Sequence, residues 1–172
     1  MTAIVQLGAP VLRELAQPIT EFNSVDTQQF IQKLLSTLSI SAGVGLAAPQ
    51  IGISYQIIVI ASKPTSRYPQ AELMSPLVMI NPEFQPLSTT INKDWEGCLS
   101  IPGIRALVPR YNDIEVNYIN ISGIKQQTQL HGFIARIFQH EYDHLQGLVY
   151  LDRVENNRDI ISETEFLQHI AA

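Results

Sequence analysis

Residues 139 to 147, QHEYDHLQG, set His140 and His144 four positions apart with Glu141 between them. On a helix, positions i and i+4 share one face, so the two imidazoles converge and offer two ligands to a metal ion. Glu141 stands beside them as a candidate general base for a water molecule. A catalytic site of this kind needs a third protein ligand and one position left open. The helix predicted over 132 to 145, GFIARIFQHEYDHL, carries Phe133, Ile134, Ile137 and Phe138 around most of its circumference, which predicts burial. Buried imidazoles and carboxylates need partners, and a metal is one.

Three sources of the third ligand come into question. A histidine at position 150 would extend the pattern to H-E-x-x-H-x-x-G-x-x-H, but although Gly147 is in place, position 150 is Tyr150. Glu163 or Glu165 would serve as the downstream glutamate of a zincin, yet both sit in the charged segment ENNRDIISETEF, which reads as a solvated helix face. Cys98, in DWEGCLSIPG, is the one cysteine of the chain. A lone cysteine is commonly a small buried hydrophobe. Gly97 before it lets the backbone approach closely, and one Cys with two His is a catalytic ligand set with an open position.

A second glycine-bearing stretch, GVGLAAPQIG over 43 to 52, has the spacing G-x-G-x-x-A. It is not a dinucleotide fingerprint: it follows a helix, Pro49 blocks the helix that should come next, and no acidic residue stands about twenty positions on. It reads instead as a bend into a short extended segment that delivers the Gln50 amide into an apolar neighbourhood.

The elements that must position these groups are of two kinds. SVDTQQFIQKLLSTLSIS, 24 to 41, predicts an amphipathic helix with Ser24 as N-cap and Phe30, Leu34, Leu35 and Leu38 on its apolar face. Short strands are then expected over 55–62, 76–82, 83–88, 104–111, 113–120 and 125–132, with a hairpin turn at ISG. The histidine helix follows, ended by Gly147, and an acidic helix is expected over about 159–170. Strands in a run predict an α+β fold of antiparallel sheets packed around the central histidine helix, in one domain over 1–172.

Composition fits a soluble globular protein and not a disordered one: 45% hydrophobic and 16% charged residues over 172 positions. A net charge of −5 argues against nucleic acid or an anionic membrane as partner. The N-terminal residues lack the pattern of a signal peptide, and the lone cysteine suits a reducing cytoplasm.

Taken together, GVGLAAPQ, EGCLS and QHEYDHLQG, in that order and spacing, resemble the three signature motifs of the peptide deformylase family. The similarity extends from LGAPVLREL near the N-terminus to LDRV at 151 to 154, leaving the tail outside it. The resemblance implies a hydrolase that removes the formyl group from N-terminal methionine of nascent polypeptides. It implies Cys98, His140 and His144 as ligands of one divalent metal, natively Fe²⁺, with Zn²⁺, Ni²⁺ or Co²⁺ as substitutes. Glu141 would be the general base, and the Gln50 amide and the Leu99 N–H the oxyanion donors. The substrate backbone would add as a strand against Val44, Gly45 and Gly97, with the methionine side chain between Val44, Phe133, Ile137 and His140. Glu96 and Arg105 are expected as an ion pair near the cysteine, and Gln139 and Asp143 as groups that orient a ligand. Arg136 departs from relatives with an apolar residue at the pocket edge; it either pairs with an acidic group or tunes tolerance for the residue after methionine. The acidic tail lacks the basic helix through which bacterial members dock on the ribosome. Two rival readings are a zincin-type endopeptidase using Glu163 or Glu165, and a non-catalytic binder of formyl or methionyl N-termini.

Overall fold

The structure, a computed structural model, describes residues 3–64, 68 and 71–171. Helix α1 (Val25–Ser39) begins where expected: the Ser24 hydroxyl accepts the Thr27 N–H at 3.2 Å, satisfying one orphan donor of the first turn. Its buried face is Ile31, Leu34 and Leu38, with Phe30 and Leu35 half-buried at the flanks.

Five strands, β1 (Gly45–Ala47), β2 (Ile57–Ser62), β3 (Met74–Pro86), β6 (Asp113–Ile119) and β7 (Lys125–His131), form an antiparallel sheet in the order β1-β2-β3-β6-β7. A second sheet has the order β4-β5-β8, from β4 (Ile91–Cys98), β5 (Ile101–Tyr111) and β8 (Ile160–Ser162). The run IIVI in β2 is apolar on both sides because both sides are covered. Ile58 and Ile60 pack with Ile137, Phe138 and Leu145 of α2 (Gly132–Leu145), while Ile57 and Val59 pack with Ile31, Leu34 and Leu38 of α1. The histidine helix is therefore central, as its apolar circumference predicts.

Two strand predictions need correction. Segments 76–82 and 83–88 are one strand, β3. The Asn-Pro pair that suggests a break is a bulge: the pairing with β6 shifts register between Ile80 and Glu83, and Asn81 takes a positive φ of 48°. Asn81 is held there by its side chain, which accepts the Ile19 N–H at 2.8 Å and donates to the Ile19 carbonyl at 2.7 Å. Strand β4 went unpredicted because INKDWEGC shows no apolar alternation; it is an edge strand, largely exposed until Glu96. Its hairpin with β5 turns at Leu99 and Ser100, with Cys98 opposite Ile101, so Cys98 sits at the hairpin end.

Helix α2 stops at Gly147, whose φ is +71° and where a Cβ would stand 2.8 Å from the Arg13 backbone. Both the left-handed conformation and the close approach demand glycine. The tail differs from a solvated helix. Ile160 and Ile161 first pair with β5 as β8, so α3 (Glu163–Ala171) starts later than predicted, and Phe166 is buried against Trp95. Among the described residues, no helix is long and apolar enough to cross a membrane.

Candidate active site

The hairpin end and the central helix bring Cys98, His140 and His144 together: the sulfur and one imidazole nitrogen of each histidine lie within 4.8 Å of one another. Cys98 Sγ is 3.3 Å from His144 Nε2. On a tetrahedral centre with sulfur at about 2.3 Å and nitrogen at about 2.05 Å, two ligand atoms stand roughly 3.5 Å apart. The spacing and the donor set therefore fit a metal ion, and two imidazoles with a thiolate suit Zn²⁺ or Fe²⁺. His144 is fully buried, whereas Cys98 and His140 each keep 9% exposure, so the open side of the cluster faces the cleft. Neither Glu163 nor Glu165 joins the cluster, and Glu163 is occupied by Arg105 at 2.7 Å.

The two histidines are tuned differently. His140 Nδ1 meets the Glu96 carboxylate at 2.9 Å, which fixes its ring and directs Nε2 towards the cluster. Burial opposes a charge on His140, but hydrogen bonds with Cys98 and Glu96 outweigh it and lift its pKa well above the usual imidazole range. Burial holds His144 well below that range.

Glu141 points into the same space but is not one of the clustered donors. It is 4% exposed, and its Oε2 is buried with no hydrogen-bond partner among the described residues. Burial pushes its carboxyl up to about 7, the range in which a group both takes and returns a proton near neutrality. Its carboxylate lies against Gly45, where a Cβ would come within 2.4 Å of Oε1. The glycine is there to make room.

Gln50 is oriented by its own turn: its Oε1 accepts the Ala47 N–H at 2.9 Å, turning Nε2 towards Cys98 Sγ at 3.4 Å and Ser100 Oγ at 3.3 Å. The Ser100 N–H also reaches Cys98 Sγ at 3.4 Å. Cys98, His140, Glu141, Gln50 and Leu99 share one cleft with Val44, Gly45, Gly97, Phe133, Ile137 and Arg136; His144 lies behind it. The enclosed part of this cleft is about 170 Å³, and it opens to solvent.

The expected Glu96–Arg105 pair is not made. Glu96 instead accepts a two-pronged contact from Arg110, at 2.9 and 3.0 Å, and another from Arg136 at 2.9 Å. Arg110 also donates to Asp143 at 2.6 Å, and Asp143 accepts from Arg153 at 2.7 Å. Burial would raise the Glu96 carboxyl, but the Arg110 charge holds it below the usual carboxylate range. Arg136 thus pairs with an acidic group while its guanidinium also donates to the carbonyls of Val108 and Asn92 at 2.8 and 2.6 Å. Gln139 orients no ligand; it clamps the Tyr111 backbone at 3.0 and 2.8 Å, fastening α2 to β5. The sequence reading missed Arg110 and Ser100. Arg110 shares the inward register of Ala106 and Val108 on β5, and a charge in such a register signals a buried partner.

The polypeptide deformylase family profile matches residues 1–159. Peptide deformylase 2 of Nostoc sp. is 48% identical over 95% of this chain and 91% of its own length. Peptide deformylase 1 of Nitrosomonas europaea is 39% identical over 90% of this chain and 88% of its own. Among solved structures, class I type b peptide deformylase from Acinetobacter baumannii with Met-Ala-Ser bound superposes with a TM-score of 0.85 at 38% identity, covering 90% of this chain and all of that one. The peptide deformylase from Synechococcus elongatus in complex with actinonin does so at 0.82 and 36% identity, covering 99% of this chain and 86% of that one. With a profile match over most of its length and relatives this similar over nearly all of theirs, the chain belongs to the polypeptide deformylase family.

Proposed function

We propose that the protein hydrolyses the formyl group from the N-terminal methionine of nascent polypeptides in the cytoplasm, using one divalent metal held by Cys98, His140 and His144. The observation that carries the reading is the convergence of those three donors on an open cleft, with the unpartnered Glu141 Oε2 beside them. When bound, the metal supplies Lewis acidity towards the formyl oxygen and lowers the pKa of water. Fe²⁺ is the native ion of this reading, and the same donors accept Zn²⁺, Ni²⁺ or Co²⁺.

Glu141 takes a proton from the water that adds to the formyl carbon. It then passes the proton to the amine nitrogen as the carbon–nitrogen bond breaks, releasing formate and a free N-terminus. A carboxyl raised to about 7 by burial is suited to both transfers. Gln50, its amide fixed by the Ala47 N–H, and the Leu99 N–H at the hairpin turn stabilise the oxyanion. β1 and β4 are both edge strands of their sheets and both border the cleft, so an extended peptide can hydrogen-bond to Val44, Gly45 and Gly97 as an added strand. Phe133 and Ile137 lie two turns and one turn before His140 on α2 and form the apolar wall for the methionine side chain. No ribosome contact is proposed for the tail, whose Glu155 and Asp159 pair with Lys93 and whose Glu163 pairs with Arg105.

The test is formate release from formyl-Met-Ala-Ser by protein purified anaerobically and loaded with Fe²⁺. Formate and free Met-Ala-Ser in equal amounts are expected. Cleavage within the peptide would favour an endopeptidase, and tight binding without release a non-catalytic binder.

A further inference from the structure

The segment after Asp159 lies beyond the residues that the family profile matches, yet it contributes Glu163 to the lining of the cleft. β8 pairs Ile160–Ser162 with Ala106, Arg105 and Ile104 of β5 and carries the chain to the cleft. Ser162 Oγ accepts the Glu165 N–H at 3.2 Å, which fixes the start of α3. Phe166, 2% exposed, is wedged between Trp95 and the Arg105 guanidinium, whose central carbon is 5.3 Å from the ring centre. These contacts determine where Glu163, in the first turn of α3, meets the cleft.

Glu163 Oε1 accepts from Arg105 Nη2 at 2.7 Å, and the Arg105 side chain is only 6% exposed. Arg105 Nη1 reaches the Tyr68 hydroxyl at 3.3 Å, and the Tyr68 ring packs on Phe133 with centres 4.8 Å apart. The guanidinium also lies flat on Gly97, where a Cβ would stand 2.2 Å from Nη1. Arg105 therefore joins the β4 edge, the connection between β2 and β3, and α2. A charge-assisted bond from Glu163 holds it there.

We propose that Glu163 is a positioning residue for the part of the substrate peptide that follows the N-terminal methionine. It acts by holding Arg105 against Gly97 and so fixing the β4 edge on which the peptide backbone lies. The proposal rests on the deformylase reading. A formyl group and one methionine need little of that edge, whereas a tripeptide needs more of it, so the effect grows with peptide length.

The experiment compares Glu163→Gln and Glu163→Asp with wild-type enzyme on formyl-methioninamide and on formyl-Met-Ala-Ser. For Glu163→Gln the KM of the tripeptide should rise about tenfold, the loss expected for one charge-assisted hydrogen bond, with kcat and the KM of formyl-methioninamide unchanged. Glu163→Asp, which keeps the charge, should bring the tripeptide KM back towards wild type. Equal KM changes for the two substrates, no change for either, or a common fall in kcat with a lower melting temperature would overturn the proposal. Wild-type enzyme inactive on both substrates would overturn the deformylase reading itself, and this inference with it.

Discussion

Replacing Gly45 by alanine adds one methyl group at the point where β1 passes the Glu141 carboxylate. The added Cβ would lie 2.4 Å from Glu141 Oε1 and 2.8 Å from its Cδ and Cγ, against an ordinary contact of 3.4 Å or more. The carboxylate must therefore retreat by about 1 Å (3.4 − 2.4), or β1 must lift off it by as much. β1 is paired with β2 from Gly45 to Ala47 and Glu141 is buried on a packed helix, so neither yields freely. A misplacement of about 1 Å in a catalytic group costs on the order of 10²-fold in rate. Overpacking costs about 1–3 kcal/mol, a fall in Tm of roughly 2–4 °C per kcal/mol at this chain length. The three atoms nearest that methyl all belong to Glu141 and none to a metal donor, so metal content should stay at the wild-type level. Steady-state kinetics with formyl-Met-Ala-Ser, metal analysis and a thermal melt on one preparation decide the matter. If Gly45→Ala turns over as fast as wild type, Glu141 does not work from the position described.

Glu141→Gln keeps the shape of the side chain but removes its proton-accepting oxygen. Turnover should fall by about 10²–10⁴-fold with metal content intact, while loss of metal along with activity would make Glu141 a ligand. Glu96 gives a pH prediction. Its folded pKa lies below its unfolded value, near 4.3, so the stability it contributes is present above that pH and lost as pH falls towards the folded value. Urea midpoints should therefore drop steeply below about pH 4 in wild type and less steeply in Glu96→Gln, which should also be less stable at neutral pH, by less than the roughly 3–5 kcal/mol of a charge left wholly unpaired, because Arg110 loses Glu96 but keeps Asp143. Parallel midpoint curves for the two proteins would show that Glu96 carries no such linkage.

Much of this architecture could be read from residue order. The i, i+4 spacing of His140 and His144 and the apolar circumference around them located the central helix, and Ser24 and Gly147 marked two helix ends that the structure keeps. Cys98 could be narrowed to a candidate from its setting, but its meeting with His144 is a tertiary event made by a hairpin end, and only the resemblance of three motifs implied it. β4 was illegible because an edge strand carries polar residues on both sides. The partner of Glu96 was misjudged because Arg105 and Arg110 are five residues apart on β5, an odd spacing that sends them to opposite faces. Arg110 faces α2, and Arg105 faces the cleft and the tail. The segment 155–166 read as solvated since its five charged residues outnumber its three apolar ones, and nothing local to it announces that Ile161 and Phe166 have a sheet to pack on.

The claim on which the rest depends is that Cys98 is a metal ligand and not a small buried hydrophobe. Its most direct test is the Zn²⁺ that stays bound per chain after gel filtration, in wild type and in Cys98→Ser, with folding checked by circular dichroism. Wild type should retain one Zn²⁺ per chain, and the folded serine variant should retain much less, since a hydroxyl is a far poorer donor than a thiolate that coordination keeps deprotonated. A folded Cys98→Ser protein that still carries one Zn²⁺ per chain would place the metal elsewhere and contradict the account.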